Sequence, residues 1–103
     1  MSYRFEYKDS FWQDYYHAIE YIADALQNPI AAQELDNAFE REKRALLIFP
    51  KAAKPYATPP EVDADYYALQ AKNYLAFYVV RGDVIEFRRF LYSRADLRDR
   101  LKT

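Results

Sequence analysis

The chain has 103 residues, with 15 lysines and arginines against 16 aspartates and glutamates, for a formal net charge of -1. A chain of this length can bury a core of its own, so we expect a single domain over residues 1–103. The near-neutral balance argues against a nucleic-acid ligand held by the overall charge of the protein.

Missing residue types exclude several classes of site. The absence of cysteine removes disulfides, thiol catalysis and cysteine-ligated zinc, and it is compatible with a reducing compartment. The single glycine, Gly82, disfavours a glycine-rich phosphate loop, which needs several residues without side chains. Charges interrupt the apolar runs near Met1, and no stretch of about 18 apolar residues occurs. We therefore expect a cytoplasmic protein with no membrane partner, no metal site and no cofactor.

The charges are distributed unevenly along the chain. Residues 1–80 carry 8 basic and 12 acidic side chains, net -4, whereas residues 81–103 carry 7 basic and 4 acidic side chains, net +3. A basic C-terminal quarter indicates an anionic partner, or an acidic segment of a protein partner.

The first residues predict a strand and a helix. Tyr3 to Lys8 alternates aromatic and charged side chains, which is the period of a strand with one buried face. Ser10 and Gln13 match a capping box, so we expect the first helix to begin there. Apolar side chains then recur at spacings of three and four residues, and the helix is predicted to end near Gln27.

A second helix and a stiff loop follow. Asn28 and Pro29 predict the cap and the first turn of this helix, which ends before Pro50 and forms a hairpin with the first helix. Four of the five prolines lie between Pro50 and Pro60. Because proline fixes φ and removes a backbone donor, this stretch is predicted to be a long loop.

The remaining chain predicts three strands and a short helix. The stretches from Tyr66 to Ala71, from Tyr74 to Val80 and from Val84 to Tyr92 are rich in aromatic and aliphatic side chains, with short turns between them. Ser93 is the predicted cap of a last short helix. The order β-α-α-β-β-β-(short α) predicts an α+β fold, with the helical hairpin packed on one face of a four-stranded, mainly antiparallel sheet.

Three stretches of the sequence are distinctive when taken together. They are Asn28-Pro29 followed by Ala31-Ala32, the strand from Tyr74 to Tyr78, and the closing stretch from Arg89 to Leu97. In this order they resemble the RelE/ParE superfamily of type II toxin-antitoxin toxins. The resemblance covers nearly the whole chain. It implies the same order of elements, a single small cytoplasmic toxin domain, and a cognate antitoxin that wraps the toxin and holds it inactive.

RelE-like members of the superfamily cut messenger RNA on the ribosome. The resemblance implies that they use basic residues on the sheet and often a C-terminal tyrosine or histidine. Their arginine after the tyrosine of the second meander strand is matched here by Leu75, and no aromatic residue follows Tyr92. Arg94 keeps the expected basic character. An endoribonuclease with Arg94 as its catalytic residue is therefore the alternative function.

ParE-like members inhibit DNA gyrase, and they resemble this sequence better around Asn28-Pro29 and from Arg89 to Leu97. The resemblance therefore predicts a plasmid-stabilising, growth-inhibiting toxin that binds gyrase and has no catalytic residue to assign. A third interpretation is an inactive family member that only binds an antitoxin.

The predicted target-binding surface lies in the basic C-terminal quarter and combines Arg89, Tyr92, Arg94 and Arg98. Arg88 and Arg89 are expected on opposite faces of one strand, and the sequence leaves open which of them is exposed.

The predicted antitoxin contacts are two aromatic residues of the first helix, Trp12 and Tyr16. Antitoxins of this superfamily present a helix or a strand to an apolar groove, and exposed aromatic side chains suit such a contact. The assembly is expected to be a homodimer, or a heterotetramer with the antitoxin.

Overall fold

The elements follow the predicted order, with one additional strand. The structure is a computed structural model that describes residues 2–62 and 64–102. A π-helical turn at Tyr21–Ala25 extends the first helix, and a 3-10 turn at Ala45–Leu47 extends the second. The strands and α-helices of this described part are β1 (Arg4–Tyr7), α1 (Asp9–Glu20), α2 (Pro29–Arg44), β2 (Lys54–Tyr56), β3 (Tyr66–Ala71), β4 (Tyr74–Arg81), β5 (Val84–Tyr92) and α3 (Leu97–Arg100).

The two helices of the hairpin begin differently. Asn28 caps α2 as predicted, because its side-chain oxygen accepts a hydrogen bond from the backbone N–H of Ala31 at 3.1 Å. The capping box predicted at Ser10 is wrong, since α1 begins one residue earlier and has no side-chain cap. The Ser10 hydroxyl instead donates to the carbonyl oxygen of Arg88 at 2.7 Å, so this residue joins α1 to β5.

The described residues form a sheet with the strand order β1-β5-β4-β3-β2. β1 is parallel to β5, and the other neighbours are antiparallel, so the mainly antiparallel sheet is confirmed. The predicted number of four strands is wrong, because β2 forms inside the stretch from Pro50 to Pro60 that predicted a loop. Pro55 is tolerated there because β2 lies at the edge of the sheet, where a missing donor breaks few hydrogen bonds.

Both turns of the β3-β4-β5 meander need a left-handed backbone. Gly82, between β4 and β5, has a φ of 60°, as the position of the only glycine predicts. Lys72, between β3 and β4, has a φ of 54°, which the sequence does not signal.

Aromatic side chains fill the main core between the hairpin and the sheet. Phe11 and Tyr15 of α1 and Phe39 of α2 pack against Phe87 and Phe90 of β5. The ring centroids that are in contact lie 4.8–5.8 Å apart, the spacing of favourable aromatic pairs. This packing holds α1 directly over β5.

The opposite face of the sheet has a smaller apolar cluster that includes the C-terminal segment. Leu101 closes this cluster, so the chain after β5, including α3, folds back across the face opposite the hairpin. The predicted cap at Ser93 is wrong: its N–H donates to the carbonyl oxygen of Asn73 at 2.8 Å, and α3 begins after Asp96. The buried members of the cluster are Tyr66, Phe77, Val79, Leu91 and Leu101.

Tyr78 ties the sheet to the segment that follows α2. Its ring is buried, and its hydroxyl donates to the carbonyl oxygen of Pro50 at 2.7 Å. Burial raises the pKa of Tyr78 to about 12, so the hydroxyl keeps its proton at neutral pH. We expect Tyr78→Phe to lower the free energy of unfolding by about 1 kcal/mol, because the Pro50 carbonyl loses its partner.

Urea unfolding measures this loss, with Tyr67→Phe as the matched control. The Tyr67 ring stacks on Tyr78 at a centroid distance of 5.5 Å, but its hydroxyl makes no hydrogen bond within the described residues. Its substitution should change the free energy of unfolding by less than about 0.5 kcal/mol. Equal losses in the two variants would contradict a role for the Tyr78 hydroxyl.

Candidate functional site

Helix α1 covers the part of β5 that β1 leaves unpaired. β1 pairs with β5 only from Val84 to Phe87. Beyond that point the N–H of Lys8 donates to the Phe87 carbonyl oxygen at 2.9 Å, and the Ser10 hydroxyl donates to the Arg88 carbonyl oxygen. The edge of the strand is therefore satisfied by the start of a helix. The C-terminal half of β5 is held against α1.

Asp14 of α1 makes the strongest of these contacts. Its carboxylate accepts hydrogen bonds from Nε of Arg89 at 2.7 Å, from Nη2 of Arg89 at 3.1 Å and from the N–H of Phe90 at 3.0 Å. Nη1 of Arg89 donates to the carbonyl oxygen of Arg100 at 2.6 Å. Because both charges are largely buried and satisfied, this pair links α1, β5 and α3 into one unit.

The predicted role of Arg89 at the target surface does not fit its position, since only 8% of the residue is exposed. Its burial assigns Arg89 to holding the C-terminal segment rather than to meeting a partner. The physical reason is that the Asp14 carboxylate and the carbonyl of Arg100 hold its guanidinium between α1 and α3. The strand also has a β-bulge here, because the register of β5 on β4 passes from Phe87 to Arg89 and leaves Arg88 with no residue opposite it on β4. The bulge interrupts the alternation on which the prediction of opposite faces for Arg88 and Arg89 rested.

The face of the sheet opposite the hairpin carries a buried carboxylate, Glu86, which is only 4% exposed. It accepts hydrogen bonds from Nη2 of Arg81 at 2.6 Å and from Nε of Arg88 at 2.7 Å. Burial would raise the pKa of Glu86, but the hydrogen bonds from Arg88 and Arg81 outweigh it and lower the pKa. Both arginines are thus engaged by one carboxylate within the sheet.

This lowered pKa predicts a pH-dependent stability. A carboxyl group with a pKa lower in the folded than in the unfolded state stabilises the fold at pH values above its unfolded pKa. That contribution is lost as the pH falls through the folded pKa. We expect Glu86→Gln to lower the free energy of unfolding by about 2 kcal/mol at pH 7. The difference from wild type should shrink as the pH falls below the ordinary pKa of a glutamate, about 4.3, and should be smallest once the pH is below the lowered pKa of folded Glu86.

Urea unfolding curves of the wild type and of Glu86→Gln, recorded across this pH range, measure the effect. Glu6→Gln is the control, because Glu6 is an exposed carboxylate on β1. Its substitution should cost less than about 1 kcal/mol at any pH. A loss in Glu86→Gln that is the same at both ends of the range would contradict the charge-based explanation.

The other three residues predicted to bind the target are exposed. Tyr92 ends β5 and is 42% exposed, Arg94 lies in the turn that follows, and Arg98 lies in α3. Within residues 2–62 and 64–102, neither arginine side chain forms an ion pair or a hydrogen bond. Both guanidinium groups are therefore available to an anionic partner.

A groove of about 950 Å³ separates the end of the helical hairpin from the end of β5. His17 and Tyr21 line one side, and Tyr92 and Arg100 line the other. Burial, with Tyr92 and Tyr21 nearby, raises the pKa of Tyr74, which also lines the groove. The remaining lining residues are Gln13, Asp14, Ala18, Ile22, Leu26, Asn28, Ala31, Asn73, Phe90, Leu91 and Ala95. A groove of this size accommodates several side chains of a partner segment.

The two predicted antitoxin contacts lie together on α1. The rings of Trp12 and Tyr16 stack at a centroid distance of 5.6 Å. Tyr16 is 57% exposed, whereas Trp12 is half-buried and packs against Tyr7 at 4.7 Å. His17 and Tyr21, which follow Tyr16 along the chain, are exposed and line the groove.

Neither a metal site nor a bilayer-spanning helix is found in the described parts of the chain. No group there brings together three or more side chains able to ligate a metal. No helix there combines the length and the apolar character that crossing a bilayer requires.

A helical hairpin over one face of a mainly antiparallel sheet, followed by a basic C-terminal segment, is the arrangement expected of small RelE/ParE-like toxins. The sequence supports this class directly. The family described as "ParE toxin of type II toxin-antitoxin system, parDE" matches residues 5–97. The chain therefore belongs to the ParE toxin family, and the resemblance found in the sequence is confirmed.

A solved structure shows the same fold. One chain in the chromosomal ParDE TA system from P. aeruginosa superimposes with a TM-score of 0.68 at 14% sequence identity. The match covers 87% of this chain and 95% of that chain. A comparison with curated proteins found no match. The fold is thus retained at an identity that supports no transfer of individual residues.

Sequence reasoning missed the two carboxylates that organise the site, Asp14 and Glu86. For Asp14 a signal existed, because it lies three residues after buried Phe11 and four before buried Ala18, within the apolar stripe of α1. A carboxylate in such a stripe needs a buried partner. Glu86 gave no such signal, since it alternates with buried Ile85 and Phe87 as a solvent-facing residue would.

Proposed function

We propose that this ParE toxin inhibits DNA gyrase by binding it through the surface formed by Tyr92, Arg94 and Arg98. The observation that supports the proposal is that Arg94 and Arg98 are exposed, and free of ion pairs within the described residues, close in sequence to an exposed tyrosine. Arginine and tyrosine contribute strongly to protein interfaces. Such a surface fits an acidic patch on a protein target. Gyrase is the target that the ParE resemblance implies.

Cleavage of messenger RNA in the ribosomal A site is supported less well. The arginines at the end of β4 and within β5 are paired with Glu86 or Asp14 and do not face a ligand as free charges. A ribonuclease needs unpaired basic groups to stabilise the charge that develops on the scissile phosphate. Leu75 packs with the apolar cluster on the face opposite the hairpin. Of the two positions at which the RelE resemblance implies a basic residue, Leu75 and Arg94, only Arg94 is basic.

The position of the groove also supports a proposal for how an antitoxin neutralises the toxin. ParE toxins belong to modules with an antitoxin, and we infer that the antitoxin occupies the groove and the Trp12–Tyr16 surface. A segment in the groove would cover Tyr92, so it would compete directly with the target. A cytoplasmic location, a role in plasmid stabilisation, and a homodimer or a heterotetramer with the antitoxin belong to the same proposal.

A supercoiling assay with purified, antitoxin-free toxin tests the proposal. We expect a molar excess of toxin to block supercoiling of relaxed plasmid by gyrase, and the cognate antitoxin to restore it. Normal supercoiling at that excess would refute gyrase as the target.

Two further measurements identify the alternatives. Codon-phased cuts in translated transcripts, detected by primer extension and abolished by Arg94→Ala, would identify an endonuclease. Normal growth after induced expression would identify an inactive, antitoxin-binding member.

A further inference from the structure

A second apolar surface lies at the far end of α2. Leu46 is buried in the core, but the next three side chains, Leu47, Ile48 and Phe49, are exposed. The exposed fractions reach 71% for Ile48 and 67% for Phe49. Three consecutive large apolar side chains facing water indicate an interaction site rather than a solvated surface. We call these three residues the apolar turn.

Hydrogen bonds hold the apolar turn in this conformation. The N–H groups of Ile48 and Phe49 donate to the carbonyl oxygen of Ala45 at 3.2 and 3.0 Å. The Tyr78 hydroxyl fixes the carbonyl of Pro50, the next residue. A turn held in this way loses little conformational entropy when a partner binds.

The apolar turn borders a concave surface. A groove of about 490 Å³ runs beside it, with Tyr3, Phe49 and Val80 among its lining residues. A protruding turn next to a groove fits a partner surface that has both a pocket for the turn and protruding side chains for the groove. This shape favours a protein segment over a lipid bilayer, into which a convex apolar surface inserts.

The surrounding charge is positive. Residues 41–54 carry five basic side chains and one acidic side chain, net +4, a local excess hidden by the net -4 of residues 1–80. Lys43 is paired with Glu40 at 2.8 Å, whereas Arg44, Lys51 and Lys54 are exposed and make no ion pair within the described chain. A second copy of this surface would bring like charges together, which disfavours self-association. A segment with carboxylates and apolar side chains fits it.

The size of a stable interface connects this surface to the antitoxin. The groove beside β5 is lined by sixteen residues, and Trp12 and Tyr16 bring the surface already assigned to the antitoxin to eighteen, whereas a stable protein interface uses about 20 to 30 residues on each side. Ala31, near the start of α2, lines that groove, and the apolar turn follows the end of the same 16-residue helix. The helix is about 24 Å long, a distance that about eight extended residues span. One wrapping segment can therefore reach both surfaces.

We propose that the apolar turn and its groove are a second docking surface for the antitoxin, occupied by an acidic segment with apolar side chains. This inference rests on the proposed function only in taking the antitoxin as the partner that occupies the groove beside β5.

The affinity of the toxin for its cognate antitoxin, measured by titration calorimetry, tests the inference. Ile48→Ser/Phe49→Ser should raise Kd by about tenfold to hundredfold, because two apolar anchors are lost. Lys51→Glu/Lys54→Glu should raise Kd by about tenfold at low salt and by less at high salt.

The variants alter exposed side chains, so unchanged circular dichroism and Tm should accompany these results. Antitoxin affinities within about threefold of wild type for both double variants would overturn the inference. With antitoxin affinity unchanged, loss of binding to phosphatidylserine vesicles in Ile48→Ser/Phe49→Ser would identify a membrane surface. Loss of toxin self-association, again with antitoxin affinity unchanged, would identify an interface between copies. Gyrase is not part of the measurement, so a toxin that leaves supercoiling normal refutes the gyrase proposal separately.

Discussion

Asp14→Ala should lower the free energy of unfolding by about 3 to 5 kcal/mol, a large part of the stability of a domain of this size. The substitution leaves the largely buried Arg89 without its carboxylate and removes the acceptor of the Phe90 N–H. Because Arg89 also holds the carbonyl of Arg100, the C-terminal segment should loosen together with α1. Urea unfolding measures the loss of stability, and hydrogen exchange of the C-terminal amides measures the loosening.

Two variants separate this pair from charge effects in general. Glu6→Ala removes a carboxylate from an exposed ion pair with Arg4 and should cost less than about 1 kcal/mol. Asp14→Ala/Arg89→Leu should be more stable than Asp14→Ala alone, because the double variant no longer buries a guanidinium that has lost the Asp14 carboxylate. A loss in Asp14→Ala no larger than in Glu6→Ala would show that the pair does not hold the fold.

Arg94→Glu/Arg98→Glu should raise the toxin concentration that half-inhibits gyrase supercoiling by about tenfold to hundredfold. Both side chains are exposed and unpaired within the described residues, so reversing them changes the surface offered to the target but not the fold. The inhibition by wild type should weaken with rising salt, since exposed charges are screened. Supercoiling assays at two salt concentrations measure both effects.

Lys51→Glu/Lys54→Glu is the matched control for gyrase inhibition, because it produces the same change of net charge on a different exposed surface. It should inhibit gyrase like wild type. If this control loses inhibition while Arg94→Glu/Arg98→Glu keeps it, the target surface lies at the end of α2 instead. The two double variants thus test separately the surface around Arg94 and Arg98 and the surface at the end of α2.

Local patterns account for most of the predicted elements. The bounds of β3 and β5 agree with the prediction, because alternation and turn residues are properties of neighbouring positions. The same local reasoning failed where a residue has a partner far along the chain. Ser10 matches a cap but bonds to Arg88, and the proline-rich stretch hid β2, which forms only because it pairs with β3.

For the candidate site, too, sequence reasoning predicted some features and missed others. Sequence indicated a basic C-terminal region with an aromatic residue, and Tyr92, Arg94 and Arg98 are indeed exposed there. Arg89, from the same region, is buried. The groove could not be predicted, because it lies between the end of the hairpin and the end of β5, and their distance depends on aromatic packing across the core.

Periodicity and the order of elements were enough to predict an α+β fold, and the resemblance of three stretches was enough to indicate the RelE/ParE superfamily, since both signals can be read from neighbouring positions in the sequence. Only the tertiary structure shows which charged side chains are paired within the protein and which are exposed. The carboxylate of Asp14 and the guanidinium of Arg89 lie 75 residues apart in sequence, and 2.7 Å separates their nearest atoms. No local pattern encodes such a pair, because its partners meet only when α1 packs on β5. Of the seven basic side chains in residues 81–103, Arg94 and Arg98 are therefore the two that are exposed and make no ion pair or hydrogen bond within the described residues.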